Sequence, residues 1–412
     1  MELGVAIIIL CFAAVFAAFM LLVFGLIYAE FSNSEIPLGV AQPGKLRLIH
    51  GLLVGIAVLG RTFQNMGLCT QVGFTRWVSN TLLPTSKVPP QLLIKDLTFA
   101  GVPVRVYQPK APSSGHRRGL LYFHGGGWML GSIDTYDDLC RYIAKESATV
   151  VVSVGYRLSP EHRYPAQLDD CLAATSHFLE VAEADYGVDP RKVAVGGDSA
   201  GGNLSAALCH RFVENDLPLP CAQILIYPVL QMADFNLPSY QQNQYVPLLY
   251  RTRMGFYYLH YLNGDTSLLE DVLDGRHVPV ELELKYRKWL GPDNLPPEFK
   301  TRGFTPRAVT AHDEEVYDIM KDALEPSVSP LLASDTVLCK MPPTFILTCE
   351  FDVLRDDGIL FKKRLDDLGV PVTWWHVQDG FHGIVSFFDK GWLTYPSGKL
   401  ALDHIVSFVK TL

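Results

Sequence analysis

Residues 193–208 pass from a short apolar run, through a glycine-rich turn, into an Ala/Leu stretch with no spacer between them. The turn contains Gly197-x-Ser199-x-Gly201, with Asp198 and Ala200 in the variable places. A chain that goes from strand to helix in so few residues brings the two elements together at a sharp angle. A Cβ two residues before or after the serine would clash, so glycine is required there, and the serine is held out at the tip. The following helix points its first backbone N–H groups at the same place. With 33 glycines in the chain, the pentapeptide alone would recur by chance, so its flanks decide the matter. No Gly-Lys-Ser/Thr follows it and no G-x-G-x-x-G occurs, which argues against a phosphate-cradling loop.

Such a turn belongs in an α/β layer structure, and the rest of the chain agrees. Strand-like runs occur at Leu97–Phe99, Val102–Tyr107, Gly119–Phe123, Val150–Val154, Val193–Val195, Gln223–Tyr227, Phe345–Cys349 and Val372–Val377, with helical stretches between. Several are continuously apolar, as in a parallel sheet covered by helices on both faces. The fold class predicted is α/β, with an eight-stranded, mostly parallel sheet. The core would comprise residues 93–231 and 328–412. Between them, residues 232–327 are rich in Tyr, Pro and charge, with helical patches at Val280–Leu290 and Asp313–Leu324. This insertion is expected to form a lid over the C-terminal edge of the sheet, where α/β folds place their ligands.

The chemistry of Ser199 calls for partners at other strand ends. The Gly119–Phe123 run leads into His124-Gly125-Gly126-Gly127-Trp128, whose glycines let backbone N–H groups turn toward a substrate. An oxyanion site is expected from this His124 segment, with the N–H groups of Gly125, Gly126 and Ala200 as donors. The acid should follow a late strand, and Asp352 stands just past Phe345–Cys349; Asp356 and Asp357 open the next helix and are assigned to its dipole. The base comes last in chain order. His382 lies in Gln378-Asp-Gly-Phe-His-Gly383 beyond the last strand, whereas His376 falls inside that strand and reads as a packed side chain. Ser199, Asp352 and His382 are therefore the candidate catalytic residues, with no cofactor and no metal called for.

Residues 3–29 carry no charge at all. As a helix they would extend about 40 Å, enough to cross a bilayer core of about 30 Å, and they exceed the apolar region of a cleaved signal peptide. A retained transmembrane signal-anchor is expected at 3–29, followed by a helical cap segment at 31–92. Within it, the apolar run Ile49–Gly60 is too short to span and reads as a cap helix or an interfacial patch. Lys45 and Arg47 beyond the anchor make the positive-inside rule indecisive, with a lean against a lumenal catalytic domain. The net charge of −8, with no basic stripe, excludes nucleic acid as a partner. None of the eight cysteines forms C-x-x-C or a zinc spacing; most read as small buried apolar residues, with one disulfide in an oxidising compartment as the alternative. The bilayer and a small apolar molecule are the partners expected; oligomeric state is not encoded in any motif.

Together, His124-Gly-Gly-Gly-Trp, Tyr156-Arg-Leu-Ser-Pro-Glu-His, Gly197-Asp-Ser-Ala-Gly-Gly-Asn, Asp352-Val-Leu-Arg-Asp-Asp-Gly and Asp379-Gly-Phe-His-Gly resemble the hormone-sensitive-lipase group of α/β-hydrolases, the GDXG lipolytic family. Within it the chain resembles the arylacetamide deacetylase-like members, and Leu237-Pro-Ser-Tyr-Gln and Ser329-Pro-Leu-Leu-Ala extend the likeness over nearly its whole length. The resemblance implies a serine carboxylesterase or deacetylase acting on apolar acyl esters or amides, including lipid esters. It also implies a single-pass type II anchor and a catalytic domain in the endoplasmic reticulum lumen. The family's cysteine after His-Gly-Gly-Gly-Trp, which can bridge to the position of Cys349, is Met129 here, so that bridge is not expected. The one N-x-S/T sequon, Asn203-Leu-Ser205, lies in the helix after the serine and is expected to be buried. The alternative on the same fold is a ligand-binding protein without catalysis, which would typically have lost one of the three residues that this chain keeps.

Overall fold

The apolar runs become strands β1 (Leu92–Phe99), β2 (Val102–Pro109), β3 (Arg117–Phe123), β4 (Val150–Val154), β5 (Val188–Asp198), β6 (Gln223–Ile226), β7 (Thr344–Phe351) and β8 (Val372–Phe381). They form one sheet in the order β1-β2-β4-β3-β5-β6-β7-β8 in a computed structural model that describes residues 2–33, 36–82, 89–113, 115–306 and 311–412. Strands β3 to β8 are parallel to one another, while β1 and β2 run antiparallel at one edge. The β1–β2 hairpin turns at Ala100 and Gly101, both with positive φ (47° and 87°), the backbone twist that a two-residue hairpin requires. Strand β1 is longer than its apolar end suggests, because at the sheet edge Lys95 and Asp96 face water and need not be apolar. Strand β6 stops one residue early, since Tyr227 turns to φ 35°.

Helices α1 (Glu2–Asn33), α2 (Pro43–Asn65) and α3 (Gln71–Leu82) precede the sheet, and α4 (Asp137–Ser147), α5 (Ala166–Tyr186) and α6 (Ala200–Glu214) connect its strands. Between β6 and β7 come α7 (Pro238–Gln242), α8 (Arg251–Leu262), α9 (Leu269–Leu273), α10 (Val280–Leu290), α11 (Glu314–Met320) and α12 (Asp335–Leu338). Helix α13 (Arg355–Asp367) joins β7 to β8 and α14 (Pro396–Thr411) ends the chain. One face of the sheet packs Val104, Leu121, Val195 and Ile346 against α5, α6 and α13, and this core continues into the insertion through Tyr258, Leu259 and Tyr261. The other face packs Leu120, Ala194, Ile224 and Leu347 against α4, α14 and the start of α2. With helices on both faces, β3 to β7 carry few outward polar positions, hence their continuous apolar runs.

Helix α2 is nearly twice the uncharged run Ile49–Gly60, because Lys45, Arg47, Arg61 and Gln64 are helix formers that extend it at both ends. By length and composition alone α2 is apolar enough to cross a membrane, yet a third of its most apolar window is buried in the fold. Its inner stripe is Leu46, Ile49, His50 and Val54, the spacing of one helix face. Helix α1 has 32 residues, about 48 Å, and exposes Ile9, Leu10, Phe16, Leu21 and Phe24 along its length. The eight cysteines are all unpaired, Cys349 among the buried ones. Asn203 is fully buried, its amide donating to the carbonyls of Val229 and Val328, so the sequon is closed to modification in the folded chain.

Candidate active site

Ser199 sits between the last residue of β5 and the first of α6, with φ 55° and ψ −117°, a strained backbone held by its surroundings. Its N–H donates to Ile226 O (2.9 Å) and its carbonyl accepts from Asn203 N–H (3.1 Å), one bond to the neighbouring strand and one into the helix. A Cβ at either Gly197 or Gly201 would strike the carbonyl oxygen of Phe123. The crowding expected between strand and helix is therefore set mainly by a third element, the end of β3.

Asp352 and His382 come to the same place from the ends of β7 and β8. The His382 ring lies between the other two side chains, its Nδ1 2.8 Å from Asp352 Oδ2 and its Nε2 2.9 Å from Ser199 Oγ. Asp352 is 1% exposed, and its other oxygen accepts from Leu354 N–H (2.9 Å). Asn243, from the insertion, donates to the Asp352 carbonyl (2.9 Å) and so fixes the turn that carries the acid. The Tyr227 ring packs against the His382 ring at 4.9 Å. Strand β8 runs on to Phe381, so His382 leaves a strand end and not the middle of a loop. His376 lies within β8 and bonds Thr348 Oγ1 (2.9 Å) and Glu350 Oε2 (3.2 Å), away from Ser199. Asp356 and Asp357 do open α13, but they also hold the turn after β6: Asp356 accepts from Ser239 N–H in the insertion, and Asp357 from Leu230 N–H and the Gln231 amide just before it.

The glycine loop corrects two sequence assignments. Gly125 N–H is not free for a substrate; it donates to Asp198 Oδ1 at 2.9 Å. His124 does not face the site either. It is buried under the loop, stacked on Tyr156 (4.3 Å), with Nδ1 2.9 Å from Gly125 O. Burial pushes its imidazole down to about 4, so the ring is neutral and donates that bond from Nδ1. Gly126 and Gly127 have φ of 116° and 61°, which only glycine adopts freely, and a Cβ on Gly127 would meet the ring of Tyr257 from α8. The N–H groups of Gly126, Gly127 and Ala200 carry no hydrogen bond among the described residues.

Asp198 was hidden in a variable place of the motif. Its carboxylate takes Gly125 N–H and Tyr122 OH (3.0 Å) on one oxygen and Tyr136 OH (2.8 Å) on the other. Burial pushes this carboxyl above its usual range, while the three donors pull it back. Arg76 from α3 was also unforeseen: its guanidinium donates to Met129 O (2.7 Å) just beyond the glycine loop and pairs with Glu161 (2.9 Å). No pattern in the sequence links these residues; only their shared neighbourhood does. Among the described residues no group of three or more His, Cys, Asp or Glu is placed to hold a metal ion.

A family model described as the alpha/beta hydrolase fold matches residues 120–274 and 292–386. Human arylacetamide deacetylase-like 4 is 43% identical over 385 residues, covering 93% of this chain and 94% of its own. Rat neutral cholesterol ester hydrolase 1 is 39% identical, covering 85% and 88%. Among solved structures, carboxyl esterase 2 of the fungus Tuber melanosporum superposes with a TM-score of 0.62 at 26% identity, over 80% of this chain and 89% of the other.

Proposed function

The chain belongs to the alpha/beta hydrolase fold family, among the arylacetamide deacetylase-like proteins, and on that premise we propose that it hydrolyses carboxylic esters or amides of apolar acids through an acyl-serine at Ser199. One observation carries the reading: a single histidine ring joins Ser199 Oγ to a buried carboxylate, with both bonds under 3 Å. As Ser199 Oγ bonds to the substrate carbonyl carbon, His382 Nε2 takes its proton, and Asp352 holds the Nδ1–H tautomer and steadies the imidazolium. The carbonyl oxygen gains the charge and is met by the N–H groups of Gly126, Gly127 and Ala200, each such donor worth about 10²–10³ in rate. The C–O or C–N bond then breaks, and His382 protonates the departing alcohol or amine. Water repeats the sequence on the acyl-serine, releasing the acid and restoring Ser199.

Residues 232–327 act as the lid in this proposal, with Tyr257 closing over the glycine loop. Helix α1 is the membrane span of a single-pass type II protein whose catalytic domain faces the endoplasmic reticulum lumen. The uncharged run at 3–29 and the family premise support that placement. Relatives named as arylacetamide deacetylase and neutral cholesterol ester hydrolase support small apolar acyl compounds, lipid esters included, as the substrate class. The test compares the full chain with Ser199→Ala on p-nitrophenyl esters of increasing acyl length. A loss of about 10⁴–10⁶ in kcat is expected. Equal activity in both forms would refute Ser199 as the nucleophile. Wild type inert on every ester and arylamide would leave the ligand-binding alternative.

A further inference from the structure

The α2–α3 hairpin has an apolar face that the fold leaves uncovered. While Leu46, Ile49 and Val54 pack inward, Leu48, Leu52 and Leu53 on α2, Met66 and Leu68 in the connection and Trp77 on α3 are 40–66% exposed. An apolar surface of this extent on an otherwise solvated domain marks a contact site. Its charge is as unusual as its hydropathy. From Ile36 to Lys95 there is no Asp or Glu, in a chain whose net charge is −8; Arg61 on α2 is exposed, whereas Lys45 is bonded to Thr394 O and Arg76 to Met129 O and Glu161.

The position of the hairpin is informative too. At its start, Ala41 N–H donates to Asp379 O (2.9 Å), three residues before His382. At its end, Arg76 donates to Met129 O beside the glycine loop. The hairpin is thus fastened on both sides of Ser199 and lies at the catalytic edge of the sheet. Nine residues separate Asn33 from Pro43, so α2 starts within about 35 Å of the end of α1, whatever the path between.

We propose that the outer face of the α2–α3 hairpin seats on a phospholipid bilayer carrying anionic headgroups, so that apolar esters pass from the lipid to Ser199 without crossing water. Apolar side chains enter the interface, an exposed Trp sits at headgroup depth, and the exposed Arg61, on a segment free of Asp and Glu, meets negative lipid. The proposal deepens the reading of a membrane-anchored hydrolase and rests on it.

The chain supplies its own probes. Cys11 lies in α1, Cys69 in the hairpin connection and Cys339 before β7 at the opposite edge of the sheet, all three exposed. Each is kept in turn, with the other two and the half-buried Cys221 changed to serine. A nitroxide is attached, and the full chain is reconstituted in phosphatidylcholine/phosphatidylserine vesicles. Relative accessibility to oxygen and to a water-soluble nickel chelate reads depth. The expected result is Cys69 at interfacial depth and Cys339 in water. Cys69 as water-accessible as Cys339, with Cys11 in hydrocarbon, overturns the seating and leaves the anchor standing. Cys11 in water overturns the anchor, and takes the seating with it only if Cys69 is in water too. In a second measurement, Leu52→Asp with Trp77→Ser is expected to keep hydrolysis of soluble p-nitrophenyl acetate. It is expected to lose roughly a hundredfold in kcat/KM on a long-chain acylglycerol in the same vesicles, about the partitioning worth of the two apolar side chains removed. Equal loss on both substrates, or loss on neither, overturns the proposal.

Discussion

Replacing Asp198 with alanine separates the residue that arranges the proposed oxyanion loop from the proposed triad of Ser199, Asp352 and His382. Three donors converge on its carboxylate, from Gly125, Tyr122 and Tyr136, and Asp198 is only 3% exposed. Asp198→Ala orphans all three in a buried space. At about 1–3 kcal/mol per unsatisfied group, less what relief of a desolvated carboxylate returns, the net cost is about 3–5 kcal/mol. Freed from Asp198, Gly125 no longer fixes the direction of the next two N–H groups. Misaligning one oxyanion donor is worth about 10²–10³ in kcat, with little change in KM. Asp198→Asn is the informative partner. Its oxygen can keep the bonds from Gly125 and Tyr122, and its amide can donate to Tyr136, whose hydroxyl accepts as well as donates. It gives up charge assistance only, so about 1 kcal/mol of stability and less than about tenfold in kcat should be lost. The assay is kcat and KM on p-nitrophenyl butyrate, with urea unfolding of the same samples. Asp198→Ala within about threefold of wild type in kcat, or Asp198→Asn as damaged as Asp198→Ala, would refute the positioning role.

His124 has an ordinary value of 6.5 unfolded and about 4 folded, so the unfolded chain binds the proton first as pH falls. Stability is then full above about pH 6.5 and declines toward pH 4 by about 1.4 kcal/mol per unit, about 2 kcal/mol by pH 5. Comparing urea midpoints at pH 7 and pH 5 should show a loss smaller by about 2 kcal/mol in His124→Gln than in wild type, the remainder coming from His210 and His260, which burial also lowers; equal pH dependence in both would contradict a buried neutral imidazole. For the topology, protease added to sealed microsomes is expected to spare the catalytic domain until detergent is present, and cleavage in intact vesicles would exclude a lumenal domain.

The sequence by itself determined the layer structure and named the three side chains of the proposed triad. Continuous apolar runs marked the covered parallel strands, and chain order placed Ser199, Asp352 and His382 at successive strand ends, because a parallel sheet delivers strand ends to one edge. It also showed where glycine was needed, since a missing side chain is visible in one letter. What it could not determine were relations between residues far apart in the chain. Which glycine N–H groups are free depended on Asp198, seventy-three residues beyond Gly125, taking the first of them. Whether His124 points at substrate or under the loop depended on Tyr156 stacking beneath it. The obstruction at Gly197 and Gly201 came from Phe123 on another strand. The inner and outer faces of α2 were equally apolar to the eye; only packing against the sheet decided which stripe is core and which is left for another surface. Periodicity records how each segment is half-buried, but a hydrogen bond or a steric contact needs two positions at once, and the tertiary fold alone brings them together.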